Sequence, residues 1–281
     1  GYHTSFFHGA RSGSMGFDSY AHTSGFSYYF GQDEYNNMDD HDGHWGIWDE
    51  PFLQYFASKL KTFKQPFLSA TFTLSSHHPF RIPIQYEGKF PKGNLPIHQG
   101  IGYTDHALKL FFEAAQKEAW FENTLFVITA DHTNANDHKE YQTAQGVYAV
   151  PIIFYRPNGE LKNYDQEHIA SQIDIMPTVL NYLGYDEPYI AFGNDLLNTS
   201  SEDSFAVNYF NGIYQFFKKD YLLQFDGENP VALYRFKSDI MLTENLLDSV
   251  DDATLIPLVN QLKSIIQQYM ERMVENQLII K

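Results

Sequence analysis

The chain has 281 residues, of which 43% are apolar, and this is enough to build one large α/β domain around a sizeable core. Acidic residues outnumber basic ones by 35 to 19, and the resulting net charge of −16 argues against nucleic acid as a partner, because phosphate backbones require compensating Lys and Arg. The chain contains no cysteine, which excludes disulfides, thiolate catalysis and cysteine-ligated zinc.

Short runs of β-branched and aromatic residues alternate with helical patterns through most of the chain. These strand-like runs are short and rich in β-branched or aromatic residues, which is typical of central strands in a parallel sheet. Their alternation with helices predicts an α/β fold, a mostly parallel sheet covered by helices. In chain order, the predicted elements are a strand (3–8), a helix (49–63, with Asp49 as its N-cap), a strand (66–74), a helix (101–121), two strands (124–130 and 150–156) and a helix (168–185).

The character of the sequence changes after about residue 205. Strand-like aromatic runs in residues 208–236 are interrupted by Asn211-Gly212, a hairpin signal, which predicts a small antiparallel sheet. Apolar side chains recur at helical spacing in residues 252–279, which predicts one amphipathic terminal helix. We therefore predict a partial α/β domain at residues 1–204, with the hairpins and helix of residues 205–281 packed on the same domain.

Polar residues follow three of the predicted strands at the point where each strand ends. His8 and Arg11 close the first strand, His77 follows the second, and Asp131-His132 ends the third. Ligands of open α/β sheets bind beyond the carboxyl ends of the strands. We therefore expect these residues to lie along one edge of the sheet.

The residue types leave two interpretations of Asp131-His132 open. A carboxylate oxygen and an imidazole nitrogen are suitable ligands for a metal ion. Alternatively, Asp131 caps a helix and His132 is an ordinary surface residue. The stretch at residues 38–50 holds five acids and two His and could bind a cation, but we interpret it as an exposed acidic loop. Arg11 is one of few cations near the predicted site and could hold an anionic oxygen.

Several segments resemble one enzyme family when they are taken in order. ATFTLSSHHPF (70–80), VITADHTN (127–134), VPIIFYRPN (150–158) and SQIDIMPTVLNYLG (171–184) resemble the sulfatase branch of the alkaline phosphatase superfamily. Within that branch, FFHG (6–9) and SSHHPF (75–80) are most similar to the lipoteichoic acid synthase-like proteins. The resemblance runs over residues 1–197.

The resemblance implies a metal-dependent enzyme that acts on an anionic sulfate or phosphate ester, carried on a glycan or a lipid. Asp131 and His132 would be ligands of one divalent metal ion, with manganese favoured and zinc or calcium as alternatives. His8 and His77 would contact the substrate. The catalytic nucleophile of this family precedes the FFHG segment, so we expect it upstream of Gly1 and assign no catalytic nucleophile within the chain.

Two further expectations follow from the resemblance. Lipoteichoic acid synthases carry a Trp and an Arg where this chain has Met15-Gly16-Phe17, so Arg11 would have to replace that Arg. Family members lie on the extracytoplasmic side of a bacterial membrane, anchored by N-terminal transmembrane helices, and we expect the same for the whole protein. The alternative function is a catalytically inactive domain of the same fold that binds a glycan or a lipid head group.

Overall fold

The computed structural model describes residues 1–161 and 167–280. The chain divides into two compact units, the first formed by Gly1–Thr124 with Arg156–Asn158 and the second by Leu125–Tyr155 with Gly159–Lys281. The predicted division at residues 204 and 205 stays a prediction. Of the helices that the structure describes, none combines the length and the apolar character needed to cross a bilayer.

The first unit is built on a parallel three-stranded sheet. Strand β1 (His3–His8) lies in the centre, between β2 (Tyr28–Phe30) and β3 (Phe67–Phe72). The predicted strands at 3–8 and 66–74 are thereby confirmed. The helices of this unit are α1 (Phe17–Thr23), α2 (Gln32–Tyr35), α3 (Asp49–Leu60) and α4 (Ile97–Ala115).

Aromatic side chains fill the core of the first unit. Phe7 in β1 is fully buried, and its ring lies 4.5 Å from that of Phe30 and 4.7 Å from that of Phe56 in α3. Phe56 stacks in turn on Phe111 in α4 at 5.5 Å. The predicted helix at 101–121 corresponds to α4. It begins earlier than predicted, directly after Pro96, and it ends earlier, at Ala115.

The second unit contains the remaining predicted strands of the α/β region, β4 (Phe126–Thr129) and β5 (Ile152–Tyr155). They pair antiparallel, with Phe126 opposite Tyr155, so the prediction that both are parallel strands was wrong. A parallel pair needs a crossover connection, usually a helix. The residues between β4 and β5 form 3₁₀ turns and loops, which let the chain reverse direction.

A short helix, α5 (Ile175–Tyr182), occupies part of the predicted segment 168–185. It is preceded by a 3₁₀ turn whose N-cap, Ser171, forms a capping box with Asp174. Gly184 follows its last turn in the left-handed conformation (φ 68°), as the sequence predicts.

The C-terminal part of the second unit is an antiparallel meander with one long helix, as predicted. Fully buried Phe216, Leu223 and Leu233 of the sheet pack with Leu262 of the helix. Its elements are β6 (Phe205–Phe210), β7 (Ile213–Lys218), β8 (Tyr221–Phe225), β9 (Pro230–Arg235) and α6 (Asp252–Val274).

Candidate active site

His8 ends β1 as a fully buried side chain. Its ring packs against Phe17 at 4.5 Å and Phe72 at 5.6 Å, and Nδ1 lies 3.5 Å from the hydroxyl of Tyr29. Burial lowers the pKa of His8 to about 4, so its imidazole is neutral at pH 7. Its Nε2 has no hydrogen-bond partner among the described residues, which leaves one buried polar atom for a ligand to satisfy.

Arg11 lies just beyond the end of β1, and its side chain is exposed. The part of the chain that the structure describes offers it no ion-pair partner. The next residues form a tight turn in which Met15 takes a left-handed conformation (φ 54°) and is 70% exposed. Phe17 then turns inward to pack on His8. The segment that replaces the family's Trp and Arg therefore supports His8 with an apolar contact and contributes no cation.

His77 follows β3, and its exposed ring is oriented by two neighbours. Nδ1 donates a hydrogen bond to the carbonyl of His78 at 3.0 Å, because a carbonyl can only accept, and Nε2 is left as the ring atom available to a ligand. The indole of Trp45 packs edge-on against the His77 ring at 4.7 Å and donates to the same His78 carbonyl at 2.6 Å.

The loop around Trp45 joins the ends of β1 and β3. The backbone N–H of Ile47 donates to the carbonyl of Gly9 at 2.9 Å, and Gly46 bridges to Ala10. A Cβ at Gly46 would lie 2.3 Å from the Gly9 carbonyl oxygen, so only glycine permits this approach. The structure therefore brings the strand end with His8 and Arg11 and the segment with His77 against one loop, as expected for residues at one sheet edge.

Asp49 supports the segment that carries His77. The prediction that it is the N-cap of α3 was wrong, because the N-cap is Trp48. Asp49 is the first residue of α3 and is 3% exposed. Its carboxylate accepts hydrogen bonds from the N–H of Leu74 at 2.7 Å, the N–H of Ser75 at 3.1 Å and the hydroxyl of Thr104 at 2.7 Å. Burial raises its pKa, while these hydrogen bonds act in the opposite direction. Asp49 thus fixes the segment that leads to His77.

Three carboxylates of the acidic stretch at residues 38–50, Asp40, Asp42 and Asp49, accept hydrogen bonds from other residues of the first unit. Asp40 accepts hydrogen bonds from Tyr35 and from Asn37, the latter at 2.8 Å. One oxygen of Asp42 accepts from the backbone N–H groups of His44 and Trp45 at 2.7 and 2.8 Å. These bonds support the interpretation of a structural acidic loop rather than a cation site.

Asp131 and His132 follow β4 in the second unit with exposed side chains. Oδ2 of Asp131 lies 3.2 Å from Nε2 of His132. Nδ1 of His132 donates to the carbonyl of Thr133 at 2.6 Å, which orients the ring so that Nε2 lies beside Asp131. The side chain of Gln172 donates to the carbonyls of Ala130 and Asp131 at 2.6 and 3.1 Å and holds the turn from outside.

The spacing of these two donor atoms fits two neighbouring ligands of one metal ion. Metal–ligand bonds of about 2.1 Å, at an angle of about 90–110°, place the ligand atoms roughly 3.0–3.4 Å apart. Asp131 does not cap a helix, because the next regular element is the 3₁₀ turn Lys139–Gln142. Within the described residues no group of three or more His, Cys, Asp or Glu is arranged to hold a metal ion.

The predicted site residues are divided between the two units. His8, Arg11 and His77 belong to the first unit, and Asp131 and His132 belong to the second. Each group has a local arrangement suited to its predicted role: two imidazoles and a guanidinium for an anion, and a carboxylate with an imidazole for a cation. These roles stay predictions.

Comparison with known protein sequences identifies one family and relatives that resemble this chain. The family described as Sulfatase matches residues 1–185. Lipoteichoic acid synthase 1 of Bacillus subtilis (strain 168) is 27% identical over 225 residues, which cover 73% of this chain and 35% of that protein. Lipoteichoic acid synthase-like YvgJ of the same organism is 29% identical over 229 residues, covering 73% and 36%. The chain therefore spans about a third of the length of these relatives.

Solved structures share the fold. A protein in the alkaline phosphatase superfamily from Vibrio parahaemolyticus superposes with a TM-score of 0.82 at 23% identity, covering 100% of this chain and 67% of that chain. The lipoteichoic acid synthase LtaP from Listeria monocytogenes gives a TM-score of 0.70 at 22% identity, covering 84% and 63%. These likenesses confirm the predicted α/β fold class.

Proposed function

The chain belongs to the sulfatase family, and we propose that it forms part of a metal-dependent enzyme that hydrolyses or transfers a sulfate or phosphate ester, with Asp131 and His132 as metal ligands. The observation that carries this proposal is the 3.2 Å spacing of Asp131 Oδ2 and His132 Nε2, together with the hydrogen bond from Nδ1 to Thr133 that orients the ring. The chain spans about a third of its curated relatives. Activity, substrate and location of the whole protein are therefore part of the proposal.

A carboxylate and an imidazole suit manganese or zinc better than calcium, which prefers oxygen ligands alone. We propose manganese, with zinc or calcium as alternatives. When bound, the ion supplies positive charge that polarises the ester and activates a nucleophile. Asp131 contributes the negative charge that retains the ion, and His132 contributes a neutral donor oriented through Thr133.

We propose that the residues of the first unit contact the anionic ester. Neutral His8 has an unsatisfied Nε2 that can donate or accept one hydrogen bond, depending on its tautomer. His77 presents Nε2 toward the ligand from a ring held by Trp45. Arg11 adds a guanidinium that binds an ester oxygen more strongly than a neutral donor does.

The similarity to proteins named lipoteichoic acid synthases supports transfer of a phosphate ester, carried on a lipid or a glycan, as one form of the reaction. Because Met15-Gly16-Phe17 contributes no cation, we propose that Arg11 takes over recognition of the charged group. We further propose that the whole protein acts on the extracytoplasmic side of a bacterial membrane and is anchored there.

The test is turnover of an aryl sulfate and of a phosphodiester by the whole protein supplied with Mn²⁺, because the residues assigned here include no nucleophile. Asp131→Ala should abolish turnover and lower bound metal. His77→Ala should lower turnover by roughly 10²–10⁴, the range for loss of a proton-transfer or oxyanion contact, with normal metal content. The matched control is His138→Ala, an exposed His of the second unit.

Two outcomes decide against this function. Turnover in Asp131→Ala equal to that of the wild type would contradict the metal assignment. A whole protein that binds a glycan or lipid head group but shows no turnover with any added divalent metal would favour the alternative, an inactive binding domain that keeps the sulfatase fold.

A further inference from the structure

The first unit contains a cleft beside the segment that carries His77. Its volume is about 760 Å³, within the range of roughly 300–1,000 Å³ that is usual for small-molecule sites. It lies outside the set of residues assigned above to the ester and the metal. The residues that matter to its chemistry are Trp48, Phe80, Arg81, Glu87, Lys92 and Gln99.

Aromatic packing in the first unit anchors part of this cleft. Among the residues that line it, Trp48 packs edge-on against Tyr103 of α4 at 5.8 Å, and Tyr103 is fully buried. Tyr86, which precedes the lining residue Glu87, packs against the same Tyr103 at 5.5 Å and stacks against Phe90 at 5.7 Å. The side of the cleft formed by Trp48 is therefore held in place by the core, which lowers the cost of ordering it around a ligand.

Two unpaired cations line the cleft in a strongly acidic protein. Arg81 and Lys92 are exposed, and neither has an ion-pair partner in residues 1–161 or 167–280. Asp42, which also lines the cleft, directs one carboxylate oxygen at backbone N–H groups of its own loop. Glu87 is thus the acid with both oxygens available, and it suits hydroxyl groups next to an anion. The cations favour a ligand that carries an anionic group.

The remaining lining suits a hydroxylated carrier. The rings of Trp48 and Phe80 offer apolar surfaces, and Gln99 of α4 offers an amide that can donate and accept. Phe80 adopts a left-handed conformation (φ 60°), which is rare for a bulky residue. Strained backbone conformations of this kind occur mainly at functional sites. Aromatic surfaces next to a few polar groups are the usual lining for a sugar or polyol.

The cleft and His77 share two chain segments. In the loop at residues 42–48, Trp45 contacts His77 while Trp48 lines the cleft. In the segment after β3, His77 is followed by Phe80, whose N–H donates to the His77 carbonyl at 2.9 Å, and then by Arg81. A substrate whose reacting ester contacts His77 therefore has this cleft as the neighbouring space for its next unit.

We propose that the cleft binds a sulfate or phosphate ester group carried on a sugar or polyol, at a distance from the bond that reacts. Arg81 and Lys92 bind the anionic group, and Trp48, Glu87 and Gln99 bind the hydroxylated carrier. The assignment of this ligand as part of the substrate rests on the proposed function. Binding in the cleft itself requires no metal, so the two can be tested separately.

The test is a calorimetric or NMR titration of the protein in EDTA with three probes, a sulfated disaccharide, glycerol phosphate and the uncharged disaccharide, and with inorganic sulfate and phosphate as reference ligands. The charged probes should bind more tightly than the uncharged one. The combined substitutions Arg81→Ala and Lys92→Ala should weaken binding of both charged probes at least about tenfold. Trp48→Ala should weaken binding of the charged probes and of the uncharged disaccharide. The matched control is Lys109→Ala, an exposed lysine of α4 that does not line the cleft.

The tighter of the two charged probes identifies the carrier, and tight binding of either supports the proposal. Equal affinity in the Arg81→Ala, Lys92→Ala variant and the wild type would overturn it. So would affinities for the charged probes no higher than those for inorganic sulfate and phosphate. Because EDTA removes free metal, failure here would leave the proposed metal function standing, and failure of the metal function would leave this binding intact.

Discussion

At the scale of single residues, His8 makes the stability of the fold depend on pH. Its pKa is about 4 in the folded protein, against about 6.5 when it is exposed in the unfolded chain. As the pH falls below 6.5, the unfolded state takes up a proton that the folded state refuses. Stability contributed by the neutral form is therefore present at pH 7 and is lost as the pH falls toward 4.

The corresponding prediction compares the wild type with His8→Leu. Between pH 7 and pH 4.5, the free energy of unfolding should fall more in the wild type, by up to about 3 kcal/mol, because Leu removes the proton uptake. Urea unfolding at several pH values measures this difference. His138→Leu, at an exposed position, is the control. Parallel pH profiles for the wild type and His8→Leu would contradict a buried, neutral His8.

Asp49 makes a second prediction at this scale. Its two carboxylate oxygens face the backbone N–H groups of Leu74 and Ser75 separately. In Asp49→Asn, either orientation of the amide turns its NH₂ toward one of these donors and leaves that donor unsatisfied. We expect a loss of about 1–3 kcal/mol in the free energy of unfolding. Asp33→Asn, at an exposed position, should have no measurable effect in the same urea titration.

An Asp49→Asn variant as stable as the wild type would show that the carboxylate is already protonated and indifferent to its neighbours. The expected variant has a further signature, since Ser75 leads directly to His77. Amide exchange at residues 74–77 should accelerate more than in the rest of the first unit.

At the scale of elements, the turn after β4 depends on one side chain from another segment of the second unit. Gln172 donates to the carbonyls of Ala130 and Asp131 and so sets where the Asp131 side chain points. Gln172→Ala should lower Mn²⁺ affinity roughly 10–100-fold while the fold persists, as is usual for residues that support metal ligands. Gln267→Ala, in α6, is the control. An unchanged Mn²⁺ affinity of Gln172→Ala in isothermal titration would show that the conformation of the turn does not depend on Gln172.

The sequence predicted the existence of elements better than their partners. The runs at 3–8 and 66–74 became β1 and β3, because apolar β-branched and aromatic residues suit buried strands. The run at 150–156 has the same composition but pairs antiparallel, since strand direction is set by the connection and not by the strand. Strand β2 has three residues, too few to give a period of two.

For the candidate site as well, the sequence predicted positions along the chain better than contacts between distant residues. Strand-end positions pointed to His8, His77 and Asp131, because the carboxyl edge of a sheet is a general property of the fold class. The internal role of Asp49 could not be read from the sequence, as its hydrogen-bond partners lie 25 and more positions away. In the cleft beside His77, Trp48 is anchored by its packing on Tyr103, for which the sequence carries no local signal.

At the scale of the whole molecule, the net charge of −16 works against an anionic substrate. At physiological ionic strength, charges further away than about 8 Å are largely screened. In the proposed function, recognition of an anion by the first unit would therefore depend on the cations nearest to it, Arg11 beside β1 and Arg81 with Lys92 in the cleft. A divalent ion, if Asp131 and His132 hold one, would add the largest single positive charge in the second unit.

The central claim, a divalent metal held by Asp131 and His132, is tested most directly by NMR spectra of the chain during titration with Mn²⁺, whose paramagnetism broadens the signals of nearby nuclei. The account predicts that, at the lowest Mn²⁺ concentrations, the amide signals of residues 131–133 broaden first. This broadening should disappear in the Asp131→Ala, His132→Ala variant but persist in a control variant with Asp186→Ala and His138→Ala. Broadening that begins in the acidic stretch at residues 38–50, or that is equal in both variants, would contradict the claim.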